Sequence, residues 1–358
     1  MGKKIKIVYF TLLTTVIAAF FIHFWLVPEI PAFQEAEKKI RSSFRQKVSK
    51  KYSQASKNAK ATYGLFVMKS PTESHPVVRQ MMPPKVVVLI HGLDEPGELW
   101  KDLVPALLES NYTVCEFRYP NDQPIRDSAR FLYEQLNHLR FLHAHKVVLI
   151  GHSMGGLVAR EMISSSEIDY AYWQSELVVP PAKGLIMLGT PNHGSIWARF
   201  RIFAELRDQW SRFISGEGHL LNAILDGAGE AGIDLIPDSY FLTELNARKH
   251  PDWLHTTIVA GSASPFTREE ITALMGEWRE KLPENTHSLL DSLSAQLIAL
   301  STGLGDGVVS AASTQMPGIE DYVAVPGNHL TMICNTGEQS GRTPPAIPVI
   351  LERLAAIW

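Results

Sequence analysis

Cysteine is scarce in this chain of 358 residues: Cys115 and Cys334 are the only two, and they say little about redox compartment. Two buried thiols are the ordinary reading, since an unpaired cysteine behaves as a small hydrophobe, and a disulfide between them is left open. The chain also lacks a His-Glu-x-x-His pair, a phosphate loop and any Cys/His spacing suited to zinc. Neither a metal nor another cofactor is therefore expected. A net positive balance is missing from most of the sequence. Residues 1–60 hold 12 Lys/Arg against 3 Glu, a balance of +9, and the whole chain is at −3, which leaves −12 for the remainder. An acidic bulk argues against nucleic acid as a partner, whereas the basic end suits an anionic surface.

Residues 7–27 form a run of 21 residues without a formal charge. As a helix such a run crosses roughly 30 Å of hydrocarbon, so residues 1–30 are expected to be a transmembrane anchor. Lys3, Lys4 and Lys6 before the run make a secretory signal peptide the rival reading, but no clean Ala-x-Ala site follows. Residues 31–62 place Phe33, Ile40, Phe44, Val48 and Tyr52 near one helical face among many Lys and Arg. That pattern suits a basic amphipathic stem on a membrane, or equally a solvated linker. Positive charge on both sides of the span leaves orientation undecided by the positive-inside rule, with a lean to an extracytoplasmic catalytic domain.

From residue 85 onward short β-branched and apolar runs recur, at residues 85–91, 112–119, 146–151, 184–189, 256–260 and 322–325. Several are separated by helical patterns such as 98–110 and 125–142. Alternation of this kind predicts an α/β protein with a doubly wound, mostly parallel sheet, its strands buried on both faces. Residues 192–254 and 263–304 are too long for simple connections and read as helical insertions above the carboxyl ends of the strands.

Gly151-His-Ser-Met-Gly-Gly156 directly follows one predicted strand and opens an apolar helical pattern over 157–163. That context makes a nucleophile elbow, a tight turn on which the Ser153 hydroxyl projects from the top of the sheet. A serine hydroxyl needs an imidazole to take its proton and a carboxylate to fix that ring's tautomer. His329 is the only one of 13 histidines beyond the second insertion, and it follows the last predicted strand. Asp306 lies in a glycine-flanked turn 23 residues earlier, while its competitors Asp291, Glu320 and Asp321 fall in a helical pattern or just before a strand. The candidate triad is thus Ser153, Asp306 and His329. Acyl transfer also needs donors for the oxyanion, and the backbone amides of Met154 and Leu93 are the candidates. His91 is expected to tie down the loop that carries Leu93.

Taken together, His91-Gly-Leu, Gly-His-Ser-Met-Gly-Gly, Gly189-Thr-Pro-Asn-His-Gly-Ser195, Gly-Asp-Gly-Val-Val and Asn328-His-Leu resemble the bacterial lipase branch of the α/β-hydrolases. They are similar also to the inositol deacylases that act on glycosylphosphatidylinositol. The resemblance implies an α/β-hydrolase domain over 63–358 and a site shaped by residues 189–195 near the acyl pocket. Many such lipases bind calcium through an Asp two residues after the catalytic His; here that residue is Thr331, so the resemblance does not extend to a calcium site.

Trp197, Phe200, Phe203, Trp210 and Phe213 crowd the start of the first insertion, as a buried cap or as a mobile lid facing lipid. With the anchor, they point to a lipid ester as substrate and a membrane as partner. Acyl transfer or thioester hydrolysis on the same triad is the alternative activity, and a non-catalytic membrane scaffold is the alternative of another class.

Overall fold

The computed structural model describes residues 62–77, 85–93, 98–121, 123–140, 146–195, 198, 230–262, 268–281, 284, 287–301, 305–336 and 341–358. Its strands are β1 (Gly64–Met68), β2 (Ser74–Pro76), β3 (Lys85–Ile90), β4 (Thr113–Arg118), β5 (Lys146–His152), β6 (Ala182–Leu188), β7 (His255–Gly261) and β8 (Tyr322–Val325). They form one sheet in the order β2-β1-β4-β3-β5-β6-β7-β8. From β4 to β8 all pairs are parallel, while β1 joins β2 and β4 antiparallel at the edge.

The apolar runs have a direct cause in this sheet. Val86, Val88 and Ile90 point to one side, where they pack with Leu132 and Leu136 of α2 (Ile125–Arg140) and Leu157 and Met162 of α3 (Met154–Ser164). Val87 and Leu89 point to the other, against Leu103 and Leu107 of α1 (Leu103–Glu109) and a helix near the end of the chain. A strand covered on both faces has no place for polar alternation, and burying each Leu or Ile side chain stabilises by about 1.5–3 kcal/mol.

Six strands lie where the runs predicted them, shifted by two residues or fewer. The edge hairpin β1–β2 adds two that the sequence reading did not count. The helix expected over 98–110 begins only at Leu103, after turns over 98–102, and Asp102 at its N-cap accepts from the Asn335 amide at 2.6 Å and makes no capping bond. Cys115 and Cys334 are both buried, and no disulfide joins them. Burial pushes the Cys115 thiol up to about 12, which keeps it protonated and unreactive.

After α4 (Tyr170–Ser175), the end of the first insertion supplies α5 (Glu230–Asp234) and α6 (Tyr240–Ala247). The second insertion holds α7 (Arg268–Lys281) and α8 (His287–Ser301), joined by an Arg279–Asp291 ion pair at 2.6 Å. A short α9 (Ala311–Thr314) and the final α10 (Ala346–Ile357), whose Ile347, Ile350 and Leu354 cover the second face, complete the chain. The expected anchor at 1–30, the stem from 31 and the aromatic residues Trp197, Phe200, Phe203, Trp210 and Phe213 lie outside the described residues. Among the described residues no helix is long and apolar enough to cross a membrane.

Candidate active site

β3 sits between β4 and β5, so the chain leaves it toward opposite sides, and the crevice at the carboxyl ends of β3 and β5 is the switch point where such sheets bind ligands. Ser153 follows β5 at that crevice with φ 51° and ψ −126°, a backbone conformation that L side chains rarely adopt. Its amide donates to the Leu188 carbonyl at 2.8 Å and its carbonyl accepts from the Gly156 amide at 3.1 Å. Both ends of the turn are thereby pinned. Gly155 has to be glycine, since a Cβ there would lie 2.7 Å from the His91 carbonyl oxygen. That close approach also sets the turn after β3, with Leu93, against the elbow.

His329 lies in the loop after β8. Its Nδ1 is 2.7 Å from Asp306 Oδ2, and its amide donates to the Asp306 carbonyl at 3.0 Å. The ring proton assigned by that contact is on Nδ1, which leaves the lone pair of the neutral ring on Nε2, the nitrogen a general base uses. Asp306 is buried, and its Oδ1 accepts from the amides of Val308 at 3.0 Å and Val309 at 2.8 Å. Burial opposes ionisation of this carboxyl, but the His329 imidazole and the two amides outweigh it and hold the pKa below the usual range. Gly189, at φ 56°, leaves room for the pair: a Cβ there would come within 2.8 Å of Asp306 Oδ2 and 3.1 Å of His329 Nδ1.

The other carboxylates are occupied elsewhere. Asp291 pairs with Arg279 on the exposed α7–α8 hairpin, Asp321 accepts from Arg353 and Thr257, and Glu320 is exposed.

Met154 opens α3, whose first amides have no intrahelical acceptor and so face the crevice end of the helix. Leu93 is partly buried, and the loop before it is held by His91, whose ring stacks on Tyr119 at 4.4 Å and bonds the Gly92 carbonyl at 2.9 Å. The Tyr119 hydroxyl donates to the His91 carbonyl at 2.6 Å. His91 thus ties the loop, as expected from its position.

His152 carries a role that the sequence reading did not give it. It is fully buried, its Nε2 donates to the His329 carbonyl at 2.7 Å, and the two rings lie 4.6 Å apart. The residue before Ser153 therefore fixes the loop of His329. Its slot in the Gly-His-Ser motif was the available signal. The same loop is stapled by Asn328, whose Oδ1 accepts from the amides of Leu330 and Thr331, and by Arg342, which donates to the Thr331 carbonyl at 2.8 Å. The Thr331 hydroxyl is turned inward to the Asn328 amide at 2.9 Å. A calcium site does not fit these residues. Among the described residues no group of three or more His, Cys, Asp or Glu is placed to hold a metal.

Residues 87–313 match the model of the family described as "Alpha/beta hydrolase family". Among solved structures, the chain is similar to the propeptide form of lipase BlEst2 from Bacillus licheniformis, with a TM-score of 0.50 and 16% identity over 81% of this chain and 53% of that one. Phospholipase PlaB from Legionella pneumophila gives a TM-score of 0.50 and 17% identity over 76% of this chain and 59% of that one. The mature form of BlEst2 gives 0.49 and 18% over 78% and 95%. The chain thus spans little more than half the length of the first two, and at such identities the likeness is one of fold. A comparison with curated proteins finds no match.

Proposed function

The chain belongs to the α/β-hydrolase family, and from that premise we propose that it is a serine ester hydrolase acting on a lipid ester. Support for a carboxylic ester hydrolase comes from the family and from lipases among the structures of like fold. The observation that carries the proposal is the 2.7 Å Asp306–His329 contact, set beside the strained elbow by the bond from His152 to the His329 carbonyl. In the reaction, Ser153 Oγ attacks the ester carbonyl as His329 Nε2 takes its proton, and Asp306 stabilises the imidazolium. The amides of Met154 and Leu93 donate to the oxyanion. Collapse expels the alcohol, protonated by His329, and leaves an acyl group on Ser153. Water then attacks with His329 again as base, releasing the acid and restoring the serine. A panel of lipid and nitrophenyl esters tests the substrate class. Turnover confined to thioesters, or product formation only when an acceptor alcohol is supplied, would replace hydrolysis of an oxygen ester.

No step in this scheme needs a metal, and Asn328 and Arg342 already brace the loop of His329. Treatment with EDTA is therefore expected to change the initial rate by less than about twofold, since no rate-determining contact is removed. A large loss restored by calcium would show that the loop depends on an ion.

The lipid reading draws on residues 7–27 and on the basic segment after them, which would make residues 1–30 an anchor, 31–62 a stem and 63–358 the catalytic domain, outside the cytoplasm. Full-length protein is then expected to sediment with membranes and to resist extraction by high salt, which screens the Lys and Arg but not an apolar span. Deletion of residues 1–60 leaves β1, which begins at Gly64, and should release a soluble domain. Its turnover of dispersed short-chain esters should persist while turnover of bilayer lipid falls further, because an anchor raises local concentration without altering the chemical step. Recovery of a shortened soluble form from the intact gene would instead establish a cleaved signal peptide.

A further inference from the structure

Asn192 is fully buried three residues past Gly189, and each of its side-chain groups and its carbonyl meets a different part of the fold. Its Oδ1 accepts from Arg160 Nη1 at 2.8 Å, its Nδ2 donates to the Thr314 carbonyl at 2.7 Å, and its carbonyl accepts from Asn246 Nδ2 at 2.8 Å. Arg160 lies on α3, the helix that starts at the elbow, and also donates to Asn246 Oδ1 at 3.0 Å. Next to Asn192, the His193 amide donates to the Ser313 carbonyl at 3.0 Å and the Ser313 hydroxyl to the Gly194 carbonyl at 2.5 Å. Ser195 Oγ then donates to the Val308 carbonyl at 2.6 Å, and the Val308 amide holds Asp306. The segment 192–195 is thus zipped to the loop that carries Asp306, and Asn192 is its fastening to the helix that carries Ser153.

We propose that Asn192, clamped by Arg160, is a positioning residue that fixes Asp306 relative to Ser153. The proposal rests on the assignment of Ser153, Asp306 and His329 above. Its physical basis is that these bonds connect the two elements whose relative placement sets the distance from nucleophile to base. A misplacement of about 1 Å at a reacting centre costs on the order of 10²-fold in rate. A buried cation is an expensive way merely to fill space, since an apolar side chain of similar volume is often as stable or more so. Burial, and next the neighbouring Arg248, push the Arg160 pKa down to about 10, with Glu161 opposing, yet the guanidinium is kept and aimed at two amide oxygens.

The test compares Asn192→Ala, Asn192→Asp and Asp306→Asn, and the double variant of Asn192→Asp with Asp306→Asn, on a soluble nitrophenyl ester, with thermal unfolding of each. Asn192→Asp keeps an acceptor for Arg160 but loses the donor to Thr314, so it separates packing from positioning even if Asn192→Ala fails to fold. Both single variants at Asn192 should lose about 10²-fold in kcat with KM within about twofold. Because they act through Asp306, the double variant should be no slower than Asp306→Asn by more than about twofold. Wild-type kcat in Asn192→Asp, or losses that multiply in the double variant, would overturn the positioning role alone. Unchanged turnover in Asp306→Asn would overturn it together with the triad.

Discussion

Replacing Ser153 with alanine is expected to abolish ester cleavage and labelling by a fluorophosphonate, a fall of about 10⁴-fold or more, while the protein unfolds at an unchanged temperature. In the proposed mechanism the hydroxyl is the atom on which the acyl-enzyme forms, and without it the remaining oxyanion donors and His329 can only assist a slow direct attack by water. The fold should be indifferent to the change for a reason visible at the elbow. Ser153 sits at the N-cap position of α3 but its side chain makes no capping hydrogen bond, and the turn is held by its backbone bonds to Leu188 and Gly156. Alanine keeps those bonds and the same backbone angles. Turnover by a clean preparation of the variant would remove Ser153 from the mechanism. A large drop in unfolding temperature would mean that the hydroxyl has a structural partner after all.

Asp306→Asn should cost on the order of 10⁴-fold in kcat, and the geometry says why an isosteric change is so harmful. The amides of Val308 and Val309 both donate to Oδ1, so in the variant that position must be the amide oxygen. The NH₂ group is then forced toward His329 Nδ1, which has to become an acceptor. The ring proton moves to Nε2, the nitrogen that takes a proton from Ser153 in the proposed mechanism. Asp291→Asn and Asp321→Asn serve as controls, because one carboxylate belongs to the α7–α8 hairpin and the other to the Arg353 pair. Kinetics of the three purified variants decide the matter. Sensitivity at Asp291 or Asp321, with Asp306→Asn close to wild type, would show that the acid has been misassigned.

The parallel strands were legible in the sequence because burial on both faces leaves an unbroken apolar signature, as in Val86 to Ile90. The hairpin of β1 and β2 was not, since five and three residues at a sheet edge carry neither length nor a following helix to mark them. Gly305-Asp-Gly was a legible turn, and chain order then brought Asp306 and His329 forward together. What stayed hidden was the connection among elements. Arg160 and Asn192 are 32 residues apart, and Asn192 and Thr314 are 122 apart, so no local pattern announces either bond. His152 looked like a filler between a glycine and a serine. Only the folded chain shows it reaching across 177 residues to the carbonyl of His329.

The backbone at Ser153 has one more consequence, for how this protein can change. A side chain held at φ 51° and ψ −126° costs on the order of 1–3 kcal/mol, whereas glycine visits such angles freely. A domain of this kind is stable by only about 5–15 kcal/mol, so the elbow surrenders a sizeable share of the margin. Under the proposed mechanism, glycine at this codon would give a hardier protein that no longer cleaves esters. Heat resistance and turnover are therefore opposed at a single position, and a library sorted for thermal survival alone will drift toward the inert variant. Screens that seek a tougher form of this protein have to score catalysis in every round.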